Sequence, residues 1–485
     1  MLSILVCHSY FLRLDQKQVE RAKPYPPLAT LQVVSLLRGA GHRVSFFDAM
    51  LADGIEEYHE LLESETPQLV LFYEDNFNFL SKMCLSTMRR AACDMIGSAR
   101  RTNARVIAAG PDVSDAPGPY LRAGADLTLM GEGLSTLLEL LPRLDAQPTI
   151  DRESLVRGLS GIAALDGGKV VKASGTKGMA LAQDAGIAAW DLVDIDRYRS
   201  VWMKAHGYFS LNMAASRGCS FRCTWCSKPI WGNNYLQRSP LEVAAEMAHL
   251  KRSFNPDHIW FADDIFGFRV DWVTQFAAAT RATGAQIPFN IQTRADLISE
   301  RMAVALRDAG CQEAWIGAES GSQKILDSMN KGTTVAEILT ARERLKAVGV
   351  RVGFFIQLGY IDEQFEDILA TRDLLASAQP DEIGISVSYP LPGTKFYELV
   401  RAQMRAKTHW HESNDLDMMF QGTYTSDFYR AVRNLLHDQI ALQTADAPLL
   451  PEHERAADAI AKRWQELHRN ELKYRSSMQK PAATA

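Results

Sequence analysis

Nowhere in these 485 residues do about 18 uncharged apolar residues run together, so no membrane-spanning helix is expected. The opening Met1-Leu2-Ser3-Ile4-Leu5-Val6-Cys7 is apolar but has no basic stretch before it. That argues against a secretory leader and for a buried first strand. An excess of either charge is also missing: 53 basic against 58 acidic residues give a formal net charge of −5, which gives no reason to expect a nucleic-acid partner. Basic stretches such as residues 38–43 read as solvated helix ends. Cysteine is sparse, seven in all, and Cys7, Cys84, Cys93 and Cys311 stand singly in apolar surroundings, as small core residues do. Disulfides are not expected in a chain without an export signal. Apolar content of 47% with 23% charged residues suits a cytoplasmic globular protein, and the length calls for two or three domains.

The other three cysteines are crowded into Arg217-Gly218-Cys219-Ser220-Phe221-Arg222-Cys223-Thr224-Trp225-Cys226, a C-x3-C-x2-C loop with no fourth cysteine close by. Three thiolates on one loop can hold three irons of a four-iron, four-sulfur (4Fe–4S) cube and leave the fourth iron open to a small molecule. A closed zinc site would need a fourth ligand at tight spacing. The nearest histidines, His206 and His249, lie 13 residues before Cys219 and 23 after Cys226.

Around that loop the chain alternates strand and helix signals. Strands are expected at 3–7, 43–47, 69–73 and 105–109, with helical spacing between them, such as 28–38. The pattern predicts a doubly wound, Rossmann-like parallel sheet over residues 1–150, whose ligands bind beyond the carboxyl ends of the strands. Two glycine loops fall there, Gly110-Pro111-Asp112 and Gly131-Glu132-Gly133. Neither G-x-G-x-x-G nor a Walker pattern accompanies them, so a nucleotide site is poorly supported. Residues 151–204 read as a connector. Six strands, at 211–215, 258–261, 289–292, 313–317, 351–357 and 382–387, then alternate with helices and suggest a partial (β/α)6 barrel over 205–397. Its site is expected where the strands end. Asp263 and Asp264 follow the second strand, Gln292 and Arg294 the third, Glu319 and Ser320 the fourth, Gln357 the fifth and Tyr389 the sixth. One acid of the adjacent pair should face the site, unless the pair only caps a helix. Arg294 could grip a carboxylate with both arms or form a plain salt bridge. Residues 398–485 read as a helical extension with a frayed end at 480–485. Within it, His409-Trp410-His411 and the run from Asn414 could cap the barrel or merely pack on it.

The cysteine loop, with Trp225 just before its last cysteine, resembles that of the radical SAM family. Membership implies a 4Fe–4S cluster held by Cys219, Cys223 and Cys226, whose open iron binds S-adenosylmethionine. One electron then cleaves the sulfonium to a 5′-deoxyadenosyl radical. The resemblance assigns Trp225, Asp263, Asp264, Gln292, Arg294, Glu319, Ser320, Gln357 and Tyr389 to the cofactor's surroundings, the sequence Gly317-Ala318-Glu319-Ser320-Gly321 matching a family motif. The early segments Tyr25-Pro26-Pro27-Leu28, Ala40-Gly41-His42 and Asp48, with the loops of Gly110, Pro111, Asp112 and Gly131, Glu132, Gly133, look like the cobalamin-binding domain attached to many such enzymes. The D-x-H-x-x-G loop that gives a histidine to cobalt elsewhere is missing, and His8, after the first strand, reads as structural. The family's usual Gly-Gly pair is Ala109-Gly110 here, and its usual histidine is Asp112. The resemblance covers roughly residues 1–430. It implies methyl transfer from methylcobalamin to an unactivated carbon of a small biosynthetic intermediate. Reduced flavodoxin or a ferredoxin-type protein would be the electron donor. Residues 386–397 with the tail to Tyr424 also resemble the anaerobic magnesium-protoporphyrin ester cyclase group, which implies oxidative ring formation as the alternative. A non-catalytic cobalamin or redox sensor is the reading from another class.

Overall fold

The computed structural model describes residues 1–78, 85–146, 158–173, 175, 187–226, 234–411, 416–444 and 451–476. The expectations at Cys84, at 151–157, at 412–415 and at 480–485 lie outside them. The first half is built on a sheet in which β1 (Ser3–Cys7), β2 (Arg43–Phe47), β3 (Leu69–Tyr73), β4 (Arg105–Ala109) and β5 (Leu127–Leu129) run parallel in the order β2-β1-β3-β4-β5. The chain leaves β1 toward β2 and returns to β1's other side through β3, so a crevice opens at the carboxyl ends of β1 and β3. Both faces are apolar, as a covered parallel sheet requires. Ile4, Val6, Leu69, Leu71 and Ile107 point into one core, while Leu5, Cys7, Val70, Phe72 and Val106 point into the other.

A hairpin was not expected within the connector. There β6 (Ile162–Asp166) pairs antiparallel with β5, and β7 (Lys169–Lys172) antiparallel with β6, which makes the sheet a mixed one of seven strands. The turn between them is Gly167-Gly168, both left-handed at φ 52° and 80°. Such a two-residue glycine turn matches the twist of a tight hairpin.

The second half is an all-parallel six-stranded sheet in consecutive order: β8 (Ser210–Met213), β11 (His258–Phe261), β12 (Phe289–Thr293), β13 (Cys311–Glu319), β14 (Arg351–Leu358) and β15 (Glu382–Val387). A separate two-stranded ribbon of β9 (Ser216–Gly218) and β10 (Tyr235–Gln237) follows β8. The helices between strands are sharply bounded. Capping boxes at Ser239/Glu242 and Thr334/Glu337 start Pro240–Phe254 and Val335–Ala347, and a left-handed Gly310 ends Glu300–Ala309. Phe261, Phe266, Phe276 and Phe289 pack between sheet and helices. On the opposite face Trp315 and Phe355 lie with ring centroids 4.7 Å apart, and a Cβ on Gly353 would meet the Trp315 ring at 2.5 Å. Lower on that face Asn212 Nδ2 donates to Pro26 O, and Tyr25 packs on Trp260. The amino end is therefore plugged by side chains and the carboxyl edge is left for a site. One apolar core runs from the first sheet's inner face into the second sheet. Among the described residues no helix is long and apolar enough to cross a membrane.

Candidate active site

The cysteine loop leaves β9 at Gly218, whose φ of 75° turns the chain into Cys219. Cys219 is buried, and Cys223 and Cys226 are half-buried. Three neighbouring segments fasten the loop. Thr224 N donates to Met329 O at 2.9 Å, Phe396 N donates to Thr224 O at 2.9 Å, and the Thr224 and Tyr360 hydroxyls are 2.6 Å apart. Asn330 Nδ2 adds a bond to Arg222 O at 2.7 Å. The loop thus sits where the segments after β13, β14 and β15 meet. Cys311 opens β13 at the opposite edge, and Cys7 is inside the first sheet. No three His, Cys, Asp or Glu side chains among the described residues are grouped to hold a single metal ion. A cube makes no such demand, because each thiolate binds a different iron. Three thiols on an anchored loop fit it.

The strand ends around the loop are not equivalent. Asp263 is fully buried, accepts from Ala215 N at 3.0 Å and from Ser216 Oγ, and so braces the turn into the cysteine ribbon. Burial pushes its carboxyl up to about 7, against the lowering effect of those hydrogen bonds. Asp264, its neighbour, is half-buried and turned the other way along the strand end. Gln292 shares with Asn290 the half-buried face of β12. Arg294 is buried and already grips Asp296 with two donors, at 2.9 and 3.2 Å. Glu319 takes a left-handed backbone, φ 60°, at an irregularity between β13 and β14, and its carboxylate meets Lys331 Nζ at 2.7 Å with both side chains buried. Strain of that kind in a non-glycine residue is concentrated at functional sites. Gly317 makes room for the pair, since a Cβ there would be 2.5 Å from Lys331 Nζ. Ser320 goes elsewhere: its hydroxyl is 3.2 Å from that of Thr371, on the helix side of the sheet. Tyr389 lies edge-on to Trp410 at 4.4 Å.

Trp225 Nε1, Thr333 Oγ1, Gln357 Oε1 and Ser388 Oγ, on segments at this same edge, are buried without a hydrogen-bond partner. Each orphan costs about 1–3 kcal/mol unless a ligand satisfies it. Lys331, Thr333 and Tyr235 escaped the sequence reading because no local pattern surrounds them.

At the first sheet the glycine loops lie at the ends of adjacent strands β4 and β5. Gly110 has φ 150°, and a Cβ there would be 2.6 Å from Glu74 Cβ. Gly133 is left-handed, with Leu129 Cβ 2.8 Å from where its own would be. Pro111 is buried behind the first loop. Gly131 N is held by Ser114 Oγ at 2.9 Å. The acids of both loops point back into protein. Asp112 is clasped by Arg89 and by Tyr120 OH, the latter at 2.7 Å. Glu132 forms a buried pair with Arg217 at 2.5 Å, and Arg217 also donates to Gln32. His8 Nε2 is engaged by Asp48 at 3.0 Å and Ala49 N at 3.1 Å. Asn76 Oδ1, after β3, is buried and unpartnered. This edge suits a ligand held by glycine backbone and shape, without a protein imidazole. The Ala40-Gly41-His42 segment precedes β2 and lies at the opposite edge. The tail crosses to this half, with Ser86 N donating to Trp410 O at 2.8 Å and Arg89 contacting His409.

A groove of about 460 Å³ lies between helices Phe365–Ala378, Ser426–Thr444 and Pro451–Arg469, and no residue of the cysteine loop or of a strand lines it.

The sequence profile of the radical SAM superfamily matches residues 213–375. The chain is 25% identical over 397 residues to an uncharacterized methyltransferase of Pyrococcus horikoshii, across 81% of this chain and 82% of that protein. It is 25% identical over 292 residues to the anaerobic magnesium-protoporphyrin IX monomethyl ester cyclase of Cereibacter sphaeroides, across 58% of this chain and 45% of that one. Among solved structures it resembles OxsB, described as a cobalamin-dependent S-adenosylmethionine radical enzyme, with a TM-score of 0.69 at 16% identity over 96% of this chain and 72% of that. It also resembles TsrM from Kitasatospora setae, described as a radical S-adenosylmethionine methyltransferase with cobalamin and cluster bound. That TM-score is 0.66 at 16% identity, over 82% of this chain and 78% of TsrM.

Proposed function

From the premise that residues 213–375 are a radical SAM domain, we propose that this enzyme is cobalamin-dependent and methylates an unactivated carbon of a small biosynthetic intermediate. The domain implies a 4Fe–4S cluster and S-adenosylmethionine. When bound, these supply one-electron cleavage of the sulfonium, and cobalamin supplies a transferable methyl group. The observation that carries the reading is the three-thiol loop anchored at a strand edge among orphaned polar atoms, buttressed by Glu132 from the glycine loop after β5 of the first sheet.

In this reading residues 1–150, with the hairpin at 162–172, hold cobalamin through the backbone around Gly110, Pro111, Gly131 and Gly133. Asp112 and Glu132 shape those loops from behind. Residues 205–397 form the partial (β/α)6 barrel. Cys219, Cys223 and Cys226 hold three irons. Trp225, Asp264, Gln292, Gln357 and Tyr389 orient S-adenosylmethionine, and Glu319, steadied by Lys331, offers it a carboxylate oxygen. Asp263 and Ser320 act as braces for the turns that carry these groups. Residues 398–485, by way of Trp410, shield the edge from water.

Support for methyl transfer comes from the methyltransferase names among relatives and structural neighbours. Oxidative cyclisation is the second reading, favoured by the similarity to the cyclases. Mass separates the two, because methylation adds one CH2 to the product and ring closure does not. Anaerobic incubation of the loaded enzyme with S-adenosylmethionine and dithionite should release 5′-deoxyadenosine, and Cys223→Ala should not. A fully loaded enzyme that releases none contradicts the proposal.

A further inference from the structure

We propose that Arg294 hydrogen-bonds the Cys223 thiolate and raises the reduction potential of the cluster, an inference that rests on the three-thiol cluster reading. Arg294 Nη1 lies 3.8 Å from Cys223 Sγ. Arg294 is 3% exposed, and its guanidinium carbon sits 3.7 Å from the centroid of the Phe221 ring, two residues before that cysteine. Its Nε and Nη2 donors are committed. Nε and Nη2 hold Asp296, and Nη2 also reaches Lys331 O at 2.6 Å. The fork is therefore fixed in place with one arm aimed at sulfur, and the face that would clamp a free carboxylate is already used by Asp296.

The electrostatic sense follows from that placement. Reduction adds one negative charge to a cluster and its thiolates. A positive donor at a ligating sulfur, shielded from water, stabilises the reduced form more than the oxidised one. Asp296 offsets part of the charge, so it acts in the opposite direction. A potential set this way decides how readily an external one-electron donor can load the cluster. Arg294 is a positioning and tuning residue in this scheme, and it touches no substrate.

The test is a redox titration of the full chain, reconstituted without oxygen and followed by electron paramagnetic resonance. In Arg294→Met the ratio of reduced to oxidised cluster at a fixed potential should fall about tenfold, equivalent to about 59 mV for a one-electron couple. Arg294→Lys, which keeps the charge and loses the fork, should fall by less. An unmoved or raised potential in a fully loaded Arg294→Met overturns the inference. If that variant does not hold its cluster, Asp296→Asn decides: a raised potential supports the role of Arg294, and an unchanged or lowered one overturns it. An unsubstituted chain that binds no cluster overturns the site reading itself. Full iron with unresponsive variants overturns only Arg294.

Discussion

Breaking the Arg217–Glu132 pair should destabilise the protein through the charge it leaves behind. Both side chains are buried, with 6% and 3% exposure, the nitrogen and oxygen are 2.5 Å apart, and the partners are 85 residues apart in sequence. With charge centres about 4 Å apart and an effective dielectric of about 20, their attraction is about 4 kcal/mol. Arg217→Met and Glu132→Leu each remove one charge of a buried ion pair, so each single change should cost about 3–5 kcal/mol. The double variant removes both charges and should cost much less than the sum, giving a coupling of more than about 2 kcal/mol. Urea denaturation followed by tryptophan fluorescence, on all four proteins, measures the cycle. Single losses under about 1 kcal/mol, the size of an exposed pair, would refute the argument, and so would additive losses. Because Arg217 lies two residues before Cys219, the same singles should also loosen the cysteine loop.

Other consequences are equally direct. Gly321→Ala would put a Cβ 2.2 Å from Ala370 O and should lower the thermal midpoint, with overpacking of this kind costing about 1–3 kcal/mol or more. Lys331→Met should strand the buried Glu319 carboxylate and weaken S-adenosylmethionine binding measured by calorimetry, while iron content stays unchanged. Glu363 is wholly buried, and burial pushes its carboxyl up to about 8 despite the bond from Gly359 N. A folded value above the unfolded one means that its stability contribution is complete below about pH 4.5 and is lost as pH rises through about 8. Thermal midpoints should therefore fall across that interval, and Glu363→Gln should flatten the fall; an unchanged slope would contradict the assignment.

Much of the architecture was legible because it is local. Runs rich in β-branched, aromatic and aliphatic residues marked β1 to β4 at the bounds observed, and the six later strands lie within a few residues of expectation. The cysteine spacing pointed to the cluster for the same reason, since its three ligands share one loop. The hairpin at 162–172 was missed because two four- to five-residue strands leave little periodicity, although Gly167-Gly168 marks its turn. What local pattern cannot carry is partnership across the fold. Residue type makes Glu132, Asp112 and Ser320 look ligand-ready, yet Arg217, Arg89 and Thr371 take up their polar atoms from remote segments. Arg294 likewise shows its charge in sequence, and only the fold shows that Asp296 and Cys223 receive it.

Metal content tests the paired-cofactor account most directly. The chain should be produced and reconstituted without oxygen, with iron, sulfide and hydroxocobalamin supplied, and then analysed for iron and cobalt alongside its visible spectrum. The account predicts about four irons and about one cobalt per chain, with the iron lost and the cobalt kept in Cys223→Ala. Iron without cobalt would contradict it and leave a radical SAM enzyme whose first sheet serves another ligand.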